Sequence, residues 1–365
     1  MIAETMPIRA GAVADRSAVD EPAAEPLDVV SRRLVQDLHD PRPAIFWSDL
    51  LASAALGGAA FGLAAAAPQW TPLQVVAIAT SALVLYRGLC FTHELTHLRR
   101  RALPGFETTW NLLFGVPLLL PSFTYVGVHQ SHHNLSTYGT DADPEYLPFA
   151  TSRRLIFVFA LQSSLLIPVL LAARFLVLAP VGLLLPPFHR WLETYASSFS
   201  MNPKYRRAMT PSAVAQMKRW ELVTLFWWGL AAAALLVGVL PWAVAVTWWI
   251  VVTLVSFLNT LRVLGAHEYE SDGQPKDRFE QLRDSIDTPG GPWTELWAPV
   301  GLRYHALHHY YPGIPYHNLG RAYRRLIEQL PPDSGYQDST SPSLGQSLRR
   351  LLQKASQKAR SAWAN

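Results

Sequence analysis

The chain has 365 residues, 50% of them hydrophobic and only 16% charged, where an average soluble protein carries roughly 25% charged residues. That balance excludes an ordinary water-soluble enzyme, and the single cysteine, Cys90, excludes a disulfide framework or a cysteine-based zinc or iron–sulfur site within one chain. A net charge of +4 without any nucleic-acid motif fits a face held against anionic lipid or an acidic protein, and predicts no nucleic-acid partner.

In chain order, residues 1–40 are rich in Ala, Pro, Asp, Glu and Arg and hold no hydrophobic signal region. They read as a disordered tail ending in a short helix. Residues 50–70 then carry no charge and 71–92 only Arg87, two runs of about the 20 residues that cross a bilayer, joined at Pro68-Gln69-Trp70-Thr71. Residues 222–240 and 242–261 are also uncharged, with Pro241 alone between them. These four runs predict an all-α integral membrane protein with four transmembrane helices arranged as two hairpins.

The stretch 108–128, broken by Pro117 and Pro121, and the stretch 155–188, interrupted by Pro168, Arg174, Pro180, Pro186 and Pro187, predict re-entrant or in-plane helices buried against protein. A true hairpin is the alternative for the second. Arg99, Arg100, Arg101, Arg153, Arg154, Lys204, Arg206, Arg207, Lys218 and Arg219 all fall outside the hairpin connections. The positive-inside rule therefore places that side, with both termini, in the cytoplasm, at the inner membrane if the source is bacterial. Residues 41–330 form the membrane domain with a cytoplasmic helical cap. Residues 331–365 form a C-terminal tail in which Leu344, Leu348, Leu351, Leu352 and Ala355 share one helical face, while Arg349, Arg350, Lys354, Lys358 and Arg360 face no acid. That pattern predicts a basic amphipathic helix on the membrane surface, or a solvated tail.

Eight of the twelve histidines fall in three short clusters, and a ninth, His267, stands after the last predicted span. The clusters are His93-Glu94-Leu95-Thr96-His97, His129-Gln130-Ser131-His132-His133 and His305-Ala306-Leu307-His308-His309. Helical positions three and four apart share a face, so each cluster can aim two or three imidazoles at one point. Two His-x-x-His-His patterns arise by chance in roughly one chain in ten thousand of this length and composition. Neutral imidazole suits a borderline metal, and every cluster lies on the predicted cytoplasmic side. His39 and His189 read instead as hydrogen-bonded core residues.

Taken alone, His93-Glu94-x-x-His97 matches the helix of zinc metalloproteases, but zinc hydrolysis needs three protein ligands and would leave at least six of these histidines without a role. Eight or nine ligands suggest two metals. One His-x-x-x-His and two His-x-x-His-His boxes around membrane hairpins resemble the membrane fatty acid desaturase family, whose sites hold two non-haem irons. The resemblance runs from about Trp47 to Arg325. It includes Gly139-Thr140-Asp141-Ala142-Asp143-Pro144-Glu145, Asn259-Thr260-Leu261-Arg262, and the segment from Tyr311 to Leu319.

The resemblance implies two iron ions, dioxygen as co-substrate, and His93, His97, His129, His132, His133, His267, His305, His308 and His309 as the ligands. It implies oxygen-dependent desaturation of a lipid-linked acyl chain, with a hydroxylase or carotenoid-type oxygenase on the same scaffold as the alternative. A histidine-lined transporter is a more remote reading. Glu94, Asp143 and Glu268 are candidates to orient ligating imidazoles, Arg262 to bind a headgroup or a carboxylate, and His317 to hydrogen-bond near the site. Asn259 is a further candidate beside the site: some family members have a water-linked asparagine one turn before the isolated histidine, where this chain has Val263, and Asn259 lies eight residues before His267, about 12 Å along a helix. Trp227, Trp228, Trp248 and Trp249 could line a substrate slot or pack helices at an aromatic belt. Without a dinucleotide fingerprint or fused redox domain, the chain implies a separate electron donor, a ferredoxin or a b-type cytochrome with its reductase.

Overall fold

The computed structural model describes residues 27–99 and 102–364. Among them the chain is helical without a strand, and its sheet-like pairings are isolated bridges such as His267 with Ser285. Four helices are long and apolar enough to cross a membrane: Pro43–Ala66, Pro72–His97, Ile167–Leu184 and Trp242–Leu264. Pro43 and Pro72 occupy first turns, where a missing N–H costs nothing. The Thr71 hydroxyl caps the second helix by accepting from the Gln74 backbone N–H at 3.3 Å. Gly57 lets the first two helices approach, since a Cβ there would fall 2.6 Å from the Leu85 Cδ2, and Ser81 donates to its carbonyl at 3.1 Å. Leu56, Val76, Leu161, Leu170, Phe226 and Leu230 are each more than half exposed. They form the apolar surface that lipid would cover.

The third of these helices stands where an in-plane or re-entrant segment was expected. Pro168 and Pro180 each sit in the first turn of a helical piece, and a π-helical stretch, Ala173–Leu178, joins the pieces. Arg174 does not interrupt the helix, because its guanidinium donates to Glu221 and to the Ala196 carbonyl, both at 2.5 Å. His189 completes that buried network, bonded to Glu221 at 3.0 Å and Glu193 at 2.8 Å. Residues 222–240 are the later part of a longer helix and the turn after it. The helix there is Pro211–Leu236, it includes Lys218, Arg219 and Glu221, and the chain turns beyond it at Gly238 with φ 77°. Its uncharged part, about 15 residues or ~22 Å, is shorter than a hydrocarbon core of ~30 Å.

Residues 108–128 form a broken segment packed on protein, comprising the end of helix Phe106–Trp110, a π-helical turn Asn111–Gly115 and a 3-10 turn Ser122–Thr124. Its free carbonyls are met by indoles: Trp228 donates to Val116 at 3.0 Å and Trp248 to Pro117 at 2.8 Å. Their ring centroids lie 4.8 Å apart. Trp228 and Trp248 therefore hold helices and a loop together, and the slot-wall role does not apply to them. Gly88 serves the same contact, because any Cβ would collide with the Phe114 ring, while its carbonyl accepts from the Trp110 indole at 2.8 Å.

The two terminal segments are docked. Helix Leu27–Val35 and the turn after it bury Val35 and Leu38 against Tyr311, Leu319 and Leu326. Ser31 bonds Tyr311 at 2.6 Å, and Arg325 binds Asp37 and the Leu34 carbonyl. The short helix expected at the end of the N-terminal tail is thus present and docked on the protein, while residues 1–26 lie outside the described residues. At the other end, helix Leu344–Ala364 buries Leu351 and Ala355 against Tyr146, Phe149 and Tyr269. Its apolar face covers protein instead of lipid. Arg350 and Lys354, expected to face no acid, pair with Glu268 at 2.9 and 2.7 Å.

Candidate metal centre

Four segments present the nine clustered imidazoles. His93 and His97 occupy the last turns of helix Pro72–His97, four residues apart on one face. His129 and His132 lie on a single helical turn, His129–His132, that follows the broken segment, with His133 at its end. His305, His308 and His309 come from helix His305–Tyr310, whose early N–H at Leu307 is accepted by Asp287 Oδ1 at 3.1 Å. His267 follows helix Trp242–Leu264 and is fixed by backbone bonds on both sides, Ile286 N to Ala266 O at 2.8 Å and Glu268 N to Asp284 O at 2.6 Å.

The rings converge into two groups. His93, His97, His129, His133 and His308 form one, and His132, His267, His305 and His309 the other, with one ring nitrogen from each member lying within 4.8 Å of those of its group. Nε2–Nε2 separations run from 2.9 Å for His305 and His267 to 3.3 Å for His132 and His267, with His129–His133 at 3.0 Å and His308–His97 at 3.1 Å. Ligands bonded to one ion at about 2.1 Å and set at right angles would lie about 3.0 Å apart. All nine rings are buried or half-buried.

Proton accounting tests whether these groups fit a cation. Tyr138 donates its hydroxyl proton to Asp284 at 2.8 Å, so its oxygen must accept from His267 Nδ1 at 2.9 Å. His132 Nδ1 faces both oxygens of Asp143 at 2.9 and 3.0 Å, and His129 Nδ1 faces Glu145 at 2.8 Å. Each of these Nδ1 atoms therefore carries a proton, and in the neutral ring each Nε2 carries a bare lone pair. Between neutral rings, His132 and His267 then point lone pairs at each other across 3.3 Å, an arrangement relieved either by a metal cation between them or by a proton on His132 Nε2. The donor set fits a metal, with the carboxylates in the orienting position that metal-bound histidines commonly use. Both ring nitrogens of His93 are buried without a hydrogen-bond partner among the described residues, as a ring reserved for a metal would be.

Electrostatics keep most of these rings in the binding form. Burial, reinforced by neighbouring imidazoles, holds His129, His133, His267, His305, His308 and His309 well below the ordinary imidazole range. Burial acts the same way on His132, but its Asp143 partner more than reverses the effect and raises it. Asp143 is in turn fixed by the backbone N–H groups of Gly139 at 2.8 Å and Glu145 at 2.9 Å. Gly139 can hold that turn because its φ of 72° lies in the left-handed region.

The remaining residues singled out in the sequence fall into two sets. Asp143 is at the site, bonded to His132. Glu94 lies 3.8 Å from His93 but accepts the Tyr316 backbone N–H at 2.9 Å, so it ties the first histidine helix to the cap. Glu268 and His317 belong elsewhere. Glu268 turns to Arg350 and Lys354, and His317 Nε2 accepts from the Arg42 backbone N–H at 3.1 Å, because each follows a landmark in sequence while its side chain leaves on another face. Missing from the sequence-derived set are Glu145, Tyr138, Asp284 and Ser285. Glu145 sits two residues beyond Asp143 in the same motif and could have been found there. Tyr138 and Asp284 give no local signal.

Two small cavities adjoin the centre and share the walls Tyr125, Phe199, Asn259 and Arg262. One, about 70 Å³, is also lined by Cys90, Thr92 and His93. The other, about 270 Å³, is lined by Glu145 and reaches Ile167 and Leu170 at the start of the third apolar helix.

The family model described as fatty acid desaturase matches residues 68–341, and the chain belongs to that family. It is an enzyme of the desaturase and hydroxylase class, with histidine clusters able to hold metal. Over 333 residues the chain is 40% identical to the ceramide hydroxylase of Caulobacter vibrioides (strain NA1000 / CB15N), covering 89% of this chain and 93% of that protein.

Proposed function

We propose that the protein hydroxylates a ceramide-like lipid at a diiron centre, consuming dioxygen and two electrons and releasing water. His93, His97, His129, His133 and His308 would hold one iron, and His132, His267, His305 and His309 the other. The observation that carries this reading is the convergence of nine imidazoles from four segments into two groups, each with one ring nitrogen per member within 4.8 Å of the others. Bound there, the irons would supply the dioxygen activation and C–H abstraction that no acid, base or nucleophile of this chain can perform. The chain does the rest. Asp143, Glu145 and the Tyr138–Asp284 pair hold the Nδ1 protons away from the centre, and Tyr86, Leu89, Trp110, Leu120 and Leu302 wall the small cavity at His93 against water.

Desaturation, the first choice from the sequence, becomes the second reading, supported by the description of the family. The order changes because similarity to the ceramide hydroxylase extends over nearly the whole chain. Zinc proteolysis loses ground, since Glu94 is engaged by a backbone N–H and His93 and His97 sit among five imidazoles. A separate ferredoxin or b-type cytochrome with its reductase would deliver electrons to the basic cytoplasmic face, with the histidines and both termini on that side of the membrane.

Expression in a host with a defined lipid pool, followed by mass spectrometry, decides between the readings. Gain of one oxygen atom on an amide-linked lipid supports hydroxylation; loss of two hydrogens supports desaturation. Iron at two ions per chain is expected, and a single zinc would sink both.

A further inference from the structure

Buried arginines in this fold are matched by oxygen. Arg174 has Glu221, Arg87 has Asp49 and Glu295, and Arg207 donates to the carbonyls of Phe123, Ser197 and Val126. Arg262 is matched by no carboxylate hydrogen bond. It is 8% exposed, its Nε has no hydrogen-bond partner, as is also true of one nitrogen each in Arg174 and Arg303, and its partners are the uncharged Asn259 Oδ1 at 3.3 Å and the Tyr86 hydroxyl. A guanidinium offers five donors, and leaving them unmet in an apolar layer is expensive. Both cavities beside the histidines open onto Arg262 and Asn259, so the unmet donors point to where a ligand would enter.

The walls also define the ligand's chemistry. The larger cavity holds the Arg262 cation and the Glu145 carboxylate together with the uncharged Gln162, Ser163 and Ser256. Its charge is balanced, and its polar groups suit an uncharged head with several oxygen acceptors and hydroxyls better than an anion. Arg262 and His93 line the same small cavity of about 70 Å³. A head seated on Arg262 therefore leaves room for only a few chain atoms before the centre.

We propose that Arg262 and Asn259 seat the uncharged amide- and hydroxyl-bearing headgroup of the lipid substrate, and so direct oxidation to a carbon within a few bonds of that headgroup. The proposal rests on the lipid-oxidation reading for its chemistry, while the seat itself can be tested by binding alone. The full chain with its metal, in phosphatidylcholine nanodiscs and kept free of dioxygen and reductant, would be titrated with a short-chain ceramide, the matching fatty acid and phosphatidic acid. Ceramide should bind the most tightly. R262Q should weaken it about tenfold to a hundredfold, as loss of charge-assisted hydrogen bonds does. R262K should fall between, because an ammonium cannot reproduce the guanidinium fork, and it keeps the test open if R262Q does not fold.

Metal content and melting temperature of each variant separate a lost seat from a lost fold. Under turnover, fragmentation should place the new oxygen next to the headgroup in the wild type and spread it along the chain in R262K. Unchanged ceramide binding in folded R262K and R262Q overturns the proposal, as does tighter, Arg262-dependent binding of phosphatidic acid, or oxidation deep in the chain. Arg262-dependent ceramide binding without any oxidised product would keep the seat and discard the lipid-oxidation reading.

Discussion

The two imidazole groups are built from one residue type but not to one plan. The group of four is buried throughout, and two of its members have Nδ1 anchored, His132 by Asp143 and His267 by Tyr138 and Ser285. In the group of five, among the described residues, only His129 is anchored in that way, by Glu145 and Tyr125, while His97 and His133 are less completely buried than the rest. His93 of this group borders the cavity beside Arg262. Rigid orientation thus belongs to the side enclosed by protein, and adaptability to the side a substrate would reach. One group is fixed by its surroundings and the other is left free to respond to what enters.

The sharpest way to break this comparison is His267→Gln. If the proposed diiron centre is right, losing one of the four rings of that group should empty it, lower bound metal from two ions per chain to one and abolish turnover; metal analysis and product assay read both. A smaller effect should follow from D143N, which removes the carboxylate charge and leaves one acceptor oxygen where His132 Nδ1 and two backbone N–H groups now share two. Metal affinity of the group of four should fall about 10–100-fold. E145Q should lie at the low end of that range, because four other imidazoles share its metal. Equal losses in D143N and E145Q, measured by chelator competition, would show that the groups are equivalent after all.

The mildest test is pH dependence at Asp287, which anchors the helix carrying histidines of both groups. Burial pushes its carboxyl up to about 7, against about 3.9 unfolded. Between those values the folded chain keeps a proton that the unfolded chain has lost, so this residue makes stability fall as pH rises from about 4 to 7 and adds no further slope above. Melting curves of the wild type and D287N should converge toward pH 4 and separate toward pH 7, with the wild type losing ground. Parallel curves would contradict that environment.

The nine histidines were legible because helical spacing is a local property, and their grouping was not, because it depends on which turn of which segment meets which. His308 joins His93, while His309, one residue on, joins His267. The spans show the same boundary. Hydropathy located the two N-terminal helices and Trp242–Leu264, but prolines in 155–188 read as breaks when they in fact begin helical pieces, and Arg174 read as an interruption before its Glu221 partner was known. An amphipathic C-terminal helix announces an apolar face without saying what covers it. Glu268 was misplaced for a related reason: adjacency to His267 in sequence says nothing about direction when the next side chain leaves on the opposite side.

Helix Leu344–Ala364 seals a wall formed by Tyr146, Phe149 and Tyr269, and Tyr146 and Tyr269 in turn stand against His267 at 6.0 and 5.4 Å between ring centroids. Every histidine of the centre leaves the ribosome before that seal does. A metal ion delivered to the chain before the segment around Leu351 and Ala355 has folded back would meet rings whose outer wall is not yet in place, so truncation at residue 343 should lower metal retention.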